Sequence, residues 1–151
     1  MTKIVFGADH RGYTLKENLK QKLSSKFEII DIGCFSPEPV DYPDIASEAA
    51  KKIQSGECKR GVLICGSGVG ACVAANKFKG IRAAICHDVF TAHQGVEDDD
   101  MNLICLGGGI VGESLAEEII ITFLNARFKS EEERYVRRLE KIKKIEETNS
   151  K

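Results

Sequence analysis

Cys65 closes the apolar run Gly61-Val62-Leu63-Ile64 and opens a glycine-rich loop, Gly66-Ser67-Gly68-Val69-Gly70. A small-residue stretch, Ala71-Cys72-Val73-Ala74-Ala75, follows and reads as a helix. This strand–loop–helix order aims several backbone N–H groups and a helix N-terminus at one spot. A thiol placed there is a better base or nucleophile than a free cysteine. One segment thus supplies an anion cradle and a reactive side chain, which fits an enzyme better than a binding module. The competing reading is structural: cysteines in apolar strands are often small core hydrophobes. Position favours chemistry, because open parallel sheets bind ligands at the carboxyl ends of their strands.

The first strand-like run ends in Gly7-Ala8-Asp9-His10-Arg11-Gly12, which a parallel sheet brings to the same edge as Cys65. Asp9 alone reads as a helix cap, and His10 alone as an exposed histidine. Together beside a glycine loop they are candidate ligand contacts. Arg134 and Arg138, four apart near the end of the chain, share one helix face. They are either a phosphate clamp or solvated partners of nearby glutamates.

The elements that must position these residues alternate. Strands are predicted over Lys3–Ala8, Glu28–Gly33, Gly61–Cys65, Ile81–Cys86 and Asn102–Leu106. Helices are predicted over Gly12–Ser25, Asp44–Gln54, about 69–77, from about Val89, and about 113–126. The loop Cys34–Asp44, with Pro37, Pro39 and Pro43, reads as irregular. Alternation of this kind implies βαβ units and a parallel sheet covered on both faces, an α/β fold. With no repeat, linker or low-complexity segment, residues 1–151 read as one domain. Ser130-Glu131-Glu132-Glu133 is a capping-box signature and predicts an extra C-terminal helix over 130–147. Its apolar residues Val136, Leu139, Ile142 and Ile145 recur at helical spacing. A helix after the fifth strand has no place inside a finished sandwich. It packs along its own subunit or docks on a neighbour.

The 151 residues carry a net charge of -1, which gives no bulk reason to expect nucleic acid. The apolar runs are too short to span a bilayer, and Met1-Thr2-Lys3 leads straight into a strand with no signal pattern. A cytoplasmic protein is expected. None of the 6 cysteines forms a C-x-x-C pair, so neither a zinc site nor a disulfide framework is expected.

In Gly7-Ala8-Asp9-His10, Asp41-Tyr42-Pro43-Asp44, Ile64–Gly70, Ala74-Ala75-Asn76-Lys77, Gly80-Ile81-Arg82-Ala83-Ala84 and Arg134–Glu140, the sequence resembles the B-type ribose-5-phosphate isomerases. The galactose-6-phosphate isomerase subunits are relatives of that family. The pieces run in order over nearly the whole chain; each is weak alone and the set is specific. The resemblance implies a three-layer α/β/α sandwich with a Rossmann-like five-stranded sheet. It implies a homodimer, in some members a tetramer, with active sites shared between subunits and the last helix packing on a partner. It also implies interconversion of an aldose phosphate and a ketose phosphate with no metal and no cofactor. Ribose 5-phosphate and ribulose 5-phosphate are the default pair.

On the same resemblance, Cys65 matches the base that moves a proton between neighbouring carbons. Ser67 matches a hydroxyl that assists ring opening. Gly66, Ser67, Gly68, Val69 and Gly70 would hold the enediolate oxygen through backbone N–H groups. Asp9 and His10 match contacts to sugar hydroxyls or phosphate, Tyr42 lines the pocket, and Arg134 and Arg138 match phosphate-binding arginines.

The chain departs from the family in Gly95-Val96-Glu97-Asp98-Asp99-Asp100. Asp98 stands where a ring-opening histidine is expected, and Asp99 where an asparagine contacts substrate. Gly109 replaces a phosphate-contacting arginine, and Tyr135 a frequent histidine. An aspartate serves as a general acid only if burial or like charge raises its pKa. His93, close to this segment, is a candidate replacement or a surface histidine; His87 has no assigned part. The alternatives are a hexose-6-phosphate isomerase of allose or galactose type, and a binding or regulatory homologue with weakened catalysis. A nucleotide-binding reading rests on the glycine loop and Asp88, but the loop lacks the G-x-G-x-x-G spacing.

Overall fold

In a computed structural model that describes residues 1–149, five strands and six helices follow one another. They are β1 (Thr2–Ala8), α1 (Tyr13–Leu23), β2 (Phe27–Asp31), α2 (Tyr42–Gln54), β3 (Arg60–Cys65), α3 (Val69–Ala75) and β4 (Ala83–Ile85). Then come α4 (Val89–Asp99), β5 (Leu103–Gly107), α5 (Glu113–Asn125) and α6 (Glu133–Asn149). All strand pairs are parallel, in the order β2-β1-β3-β5-β4.

Side-chain alternation along the strands makes two cores. Ile4, Phe6, Val62, Ile64, Ile104 and Leu106 point to one face, where α1, α4 and α5 cover them with Leu19, Val96, Ile119 and Phe123. Val5, Leu63, Cys65, Leu103 and Cys105 point to the other, under the alanine-rich faces of α2 and α3. Small residues there let the two helices approach closely. The three-layer sandwich follows from this division.

The boundaries of α2, β4 and α6 differ from the sequence expectation, each for a local reason. Pro43 lies in the first turn of α2, where its missing N–H would have no intrahelical partner anyway. Strand β4 is short because the Arg82 N–H donates to the Asn102 side chain at 2.8 Å instead of to a neighbouring strand. Helix α6 begins at Glu133. The chain first makes a turn, with the Glu132 N–H donating to the Lys129 carbonyl, so Ser130 stands too early to cap it.

Helix α6 lies along its own chain: Leu139 is buried and Glu146 accepts from the Gly80 N–H at 2.9 Å. Ile142 and Ile145 remain exposed, the latter at 63%. Among the described residues no helix is long and apolar enough to cross a membrane. All six cysteines are free thiols.

Candidate active site

From β1 the chain turns to β2 on one side, then crosses to β3 on the other, with α1 and α2 on opposite faces. The carboxyl ends of β1 and β3 therefore flank a topological switch point, the usual ligand crevice of an open α/β sheet. Here the Asp9 N–H donates to the Ile64 carbonyl at 3.1 Å, which fixes Asp9 beside Cys65. On its other side Cys65 pairs in register with Gly107 of β5.

Cys65 is 4% exposed, and its Sγ accepts a hydrogen bond from the Gly68 N–H at 3.2 Å. Gly68 caps α3 with φ of 84°, a left-handed conformation that glycine adopts without steric cost. The Ser67 hydroxyl accepts from the Val69 N–H at 3.3 Å, so its own proton stays available. Tyr42 packs flat on Gly70, where a Cβ would come within 2.6 Å of the ring.

One carboxylate oxygen of Asp9 accepts from the N–H groups of Arg11 (2.9 Å) and Gly12 (3.3 Å). Asp9 thereby shapes the β1 turn as well as lining the cleft. His10 Nδ1 accepts from the Val40 N–H at 3.2 Å, which leaves the ring proton on Nε2. These side chains, with Arg11 and Asp41, line an open cleft of about 530 Å³. That volume suits a small metabolite.

Behind Cys65 the buried Cys105 neighbours Cys72 of α3, whose thiol donates to the Ala83 carbonyl at 3.6 Å. The two thiols shift in opposite directions: Cys105 lowers the Cys72 thiol to about 7 against the opposing effect of burial. Cys72, with burial, pushes the Cys105 thiol well above its ordinary value.

Asp98, Asp99, Arg134 and Arg138 form a second group, at the end of α4 and on α6, and none of them lines the Cys65 cleft. Asp98 accepts from Gln94 Nε2 at 2.7 Å. Burial, then repulsion from Asp98, raises the Asp99 carboxyl, while Arg138 acts in the opposite direction. The Asp99 carboxyl thus shifts in the direction that a general acid requires. Arg134 is paired with Glu132 at 2.8 Å and stacks on Tyr135 at 4.5 Å.

His93 does not reach the cleft either. It is bound by Glu97, which also takes Lys129 at 3.0 Å, and it lines a separate cavity with Asn125 and Arg127. His87 accepts the Gly107 N–H at 3.0 Å and closes the end of β5. Asp88 is the cap of α4, accepting from the Thr91 N–H at 2.7 Å, which accounts for it without a ribose.

Sequence reasoning passed over Arg11 and Asp41 as cleft residues. Both sit inside segments that were singled out, yet their side-chain direction depends on glycines and turns elsewhere in the fold.

The sequence matches the ribose/galactose isomerase family over residues 4–142. The chain belongs to that family. Membership makes it an enzyme of the aldose–ketose isomerase class. It is 41% identical to ribose-5-phosphate isomerase B of Escherichia coli, over 97% of this chain and 98% of that one. The structure of ribose-5-phosphate isomerase B from Clostridium thermocellum superposes with a TM-score of 0.94 at 43% identity, over 99% and 100% of the two chains. A 4-deoxy-4-sulfo-D-erythrose isomerase from a Clostridium species is 41% identical over 83% of this chain and 80% of its own. Members of the ribose/galactose isomerase family thus share this scaffold while differing in the sugar named for them.

Proposed function

We propose that the protein interconverts ribose 5-phosphate and ribulose 5-phosphate, with Cys65 as the base. The observation that carries this reading is the Cys65 sulfur at a strand end, bonded to the Gly68 N–H, in a cleft of small-metabolite size. In the aldose direction the open-chain sugar places C2 against Sγ. Cys65 takes the C2 proton and the electron pair moves toward O1. The resulting enediolate oxygen is met by N–H groups of the Gly66–Gly70 loop. Return of the proton to C1 leaves a carbonyl at C2, and the O2 proton passes to O1 through a nearby hydroxyl, for which Ser67 is placed. One base suffices because the two carbons are adjacent.

The site is completed by a second copy of the chain. Asp98, Asp99, Arg134 and Arg138 lie away from Cys65 in their own subunit, and Ile142 and Ile145 of the same helix are exposed. A homodimer that brings the end of α4 and α6 to a partner's Cys65 cleft would join the two groups. Arg134 and Arg138 then take phosphate, and Asp99, with Asp98 beside it, serves ring opening in place of a histidine.

A steady-state assay of the purified protein on ribose 5-phosphate, allose 6-phosphate, galactose 6-phosphate and a four-carbon aldose phosphate tests the substrate. The highest kcat/KM is expected for ribose 5-phosphate. A higher value for a hexose phosphate assigns the hexose reading. No turnover of any of them assigns the binding or regulatory reading.

A further inference from the structure

Arg11 and Arg138 are the arginines that make no ion pair and no guanidinium hydrogen bond among the described residues, and of the two only Arg11 lines the Cys65 cleft. Arg82 pairs with Asp100, Arg127 with Glu131, Arg134 with Glu132 and Arg137 with Glu133, while Arg60 donates to the carbonyls of Phe123 and Leu124. The Arg11 guanidinium is exposed at the mouth of the Cys65 cleft and has no carboxylate or carbonyl partner among the described residues.

Its seat is built by glycine. The guanidinium lies across Gly66, where a Cβ would come within 2.6 Å of Cζ. The Arg11 carbonyl lies against Gly108, where a Cβ would be 2.6 Å away. Gly12 sits against the Ile64 carbonyl, with 2.4 Å to a Cβ there. The Arg11 N–H is held by Asp9. A flexible surface arginine needs none of this.

Charge supplies the reason. The described residues lining the cleft include two carboxylates, Asp9 and Asp41, and a single fixed cation, Arg11. Without it a phosphate dianion would enter a cleft of the same sign. The enediolate belongs at Cys65, which is nearly buried; the phosphate, the most strongly hydrated part of the sugar, belongs at the exposed mouth. Beside Arg11, His10 offers its Nε2 proton.

We propose that Arg11 is the cation through which a subunit takes the substrate's phosphate at its own Cys65 cleft, before or alongside any arginine from a second copy. This rests on the sugar-phosphate reading of the site. The planar fork of the guanidinium suits two oxygens of a phosphate.

The test compares wild type, Arg11→Met, Arg11→Lys and Gly66→Ala. Binding of ribose 5-phosphate, inorganic phosphate and unphosphorylated ribose is measured by calorimetry, alongside KM and kcat. Arg11→Met should weaken both phosphate ligands by about 10- to 100-fold, the loss expected for a charged hydrogen-bonded contact. KM should rise by a similar factor with a smaller effect on kcat, and ribose should be unaffected. Arg11→Lys should restore part of the loss. Gly66→Ala keeps every backbone N–H but displaces the guanidinium, so it should reproduce the loss and add little to Arg11→Met. It also carries the test if Arg11→Met fails to fold. Unchanged phosphate affinity in the folded variants overturns the proposal. If the wild type turns over no sugar phosphate, the functional reading fails, and affinity for inorganic phosphate still decides the role of Arg11.

Discussion

The backbone N–H of Gly68 donates to the Cys65 sulfur at 3.2 Å, and it does so from a left-handed backbone, φ 84°. A left-handed conformation costs a residue with a Cβ roughly 1–2 kcal/mol. At Gly68 that Cβ would also lie 3.1 Å from the Leu106 carbonyl carbon. Gly68→Ala should therefore lower both melting temperature and kcat. Gly56→Ala is the control: its φ is 80°, but nothing lies within 4 Å of the added Cβ, and it follows α2 away from the cleft. It should lower the melting temperature and leave kcat alone. Equal kcat in the two variants would detach the Gly68 N–H from the chemistry.

A buried ion-pair network supports the other wall. Lys16 is fully buried and its Nζ lies 2.7 Å from Asp31, which Lys20 also reaches at 2.6 Å. Asp31 in turn accepts from the Gly33 N–H, at the start of the loop that carries Val40 and Asp41 into the cleft. Asp31→Ala leaves the buried Lys16 charge with Glu17 alone, at 2.8 Å, and should cost up to roughly 3 kcal/mol in chemical denaturation. Lys16→Met should cost less, because Asp31 keeps Lys20.

The same network fixes a pH dependence. Burial alone would raise the Asp31 carboxyl, but hydrogen bonds from Lys16, Lys20 and the Gly33 N–H outweigh it and hold it below its ordinary value of 3.8. A group with a lowered folded pKa contributes stability above its unfolded pKa and loses it as pH falls through the folded value. Wild-type stability should thus decline on acidification below the ordinary aspartate range. The decline should be shallower in Asp31→Asn, measured by denaturant midpoints across acid pH.

The shared-site arrangement predicts complementation. Cys65→Ala and the double variant Arg134→Ala/Arg138→Ala should each be nearly inactive. Mixed, dissociated and reassembled as dimers, they should recover up to about a quarter of wild-type activity, because half the dimers are mixed and each mixed dimer has one intact site. If every site is built within one chain, mixing recovers nothing.

Much of this was legible in the sequence. Cys65, its glycine loop and the five strands stand out because apolar runs, glycines and helical spacing are local signals. What was not legible depends on long-range packing. Arg11 is placed by Gly66, 55 positions along the chain, and the shortness of β4 by the side chain of Asn102. That the Asp99 carboxyl is raised follows from burial at the end of α4, which a run of aspartates in a sequence does not reveal. Helix α6 starts at Glu133 and not at the capping-box serine, because that pattern is also compatible with the turn from Lys129 to Glu132.

The central claim is that Cys65 moves the proton in a sugar-phosphate isomerisation. Its most direct test follows ribose 5-phosphate in deuterated water by NMR, with wild type and with Cys65→Ala matched for folding and ligand affinity. Wild type should form ribulose 5-phosphate carrying deuterium at C1. Cys65→Ala should bind the sugar but isomerise it about a thousandfold more slowly, as expected for loss of a general base. A Cys65→Ala protein that retains a tenth of wild-type activity would contradict the account.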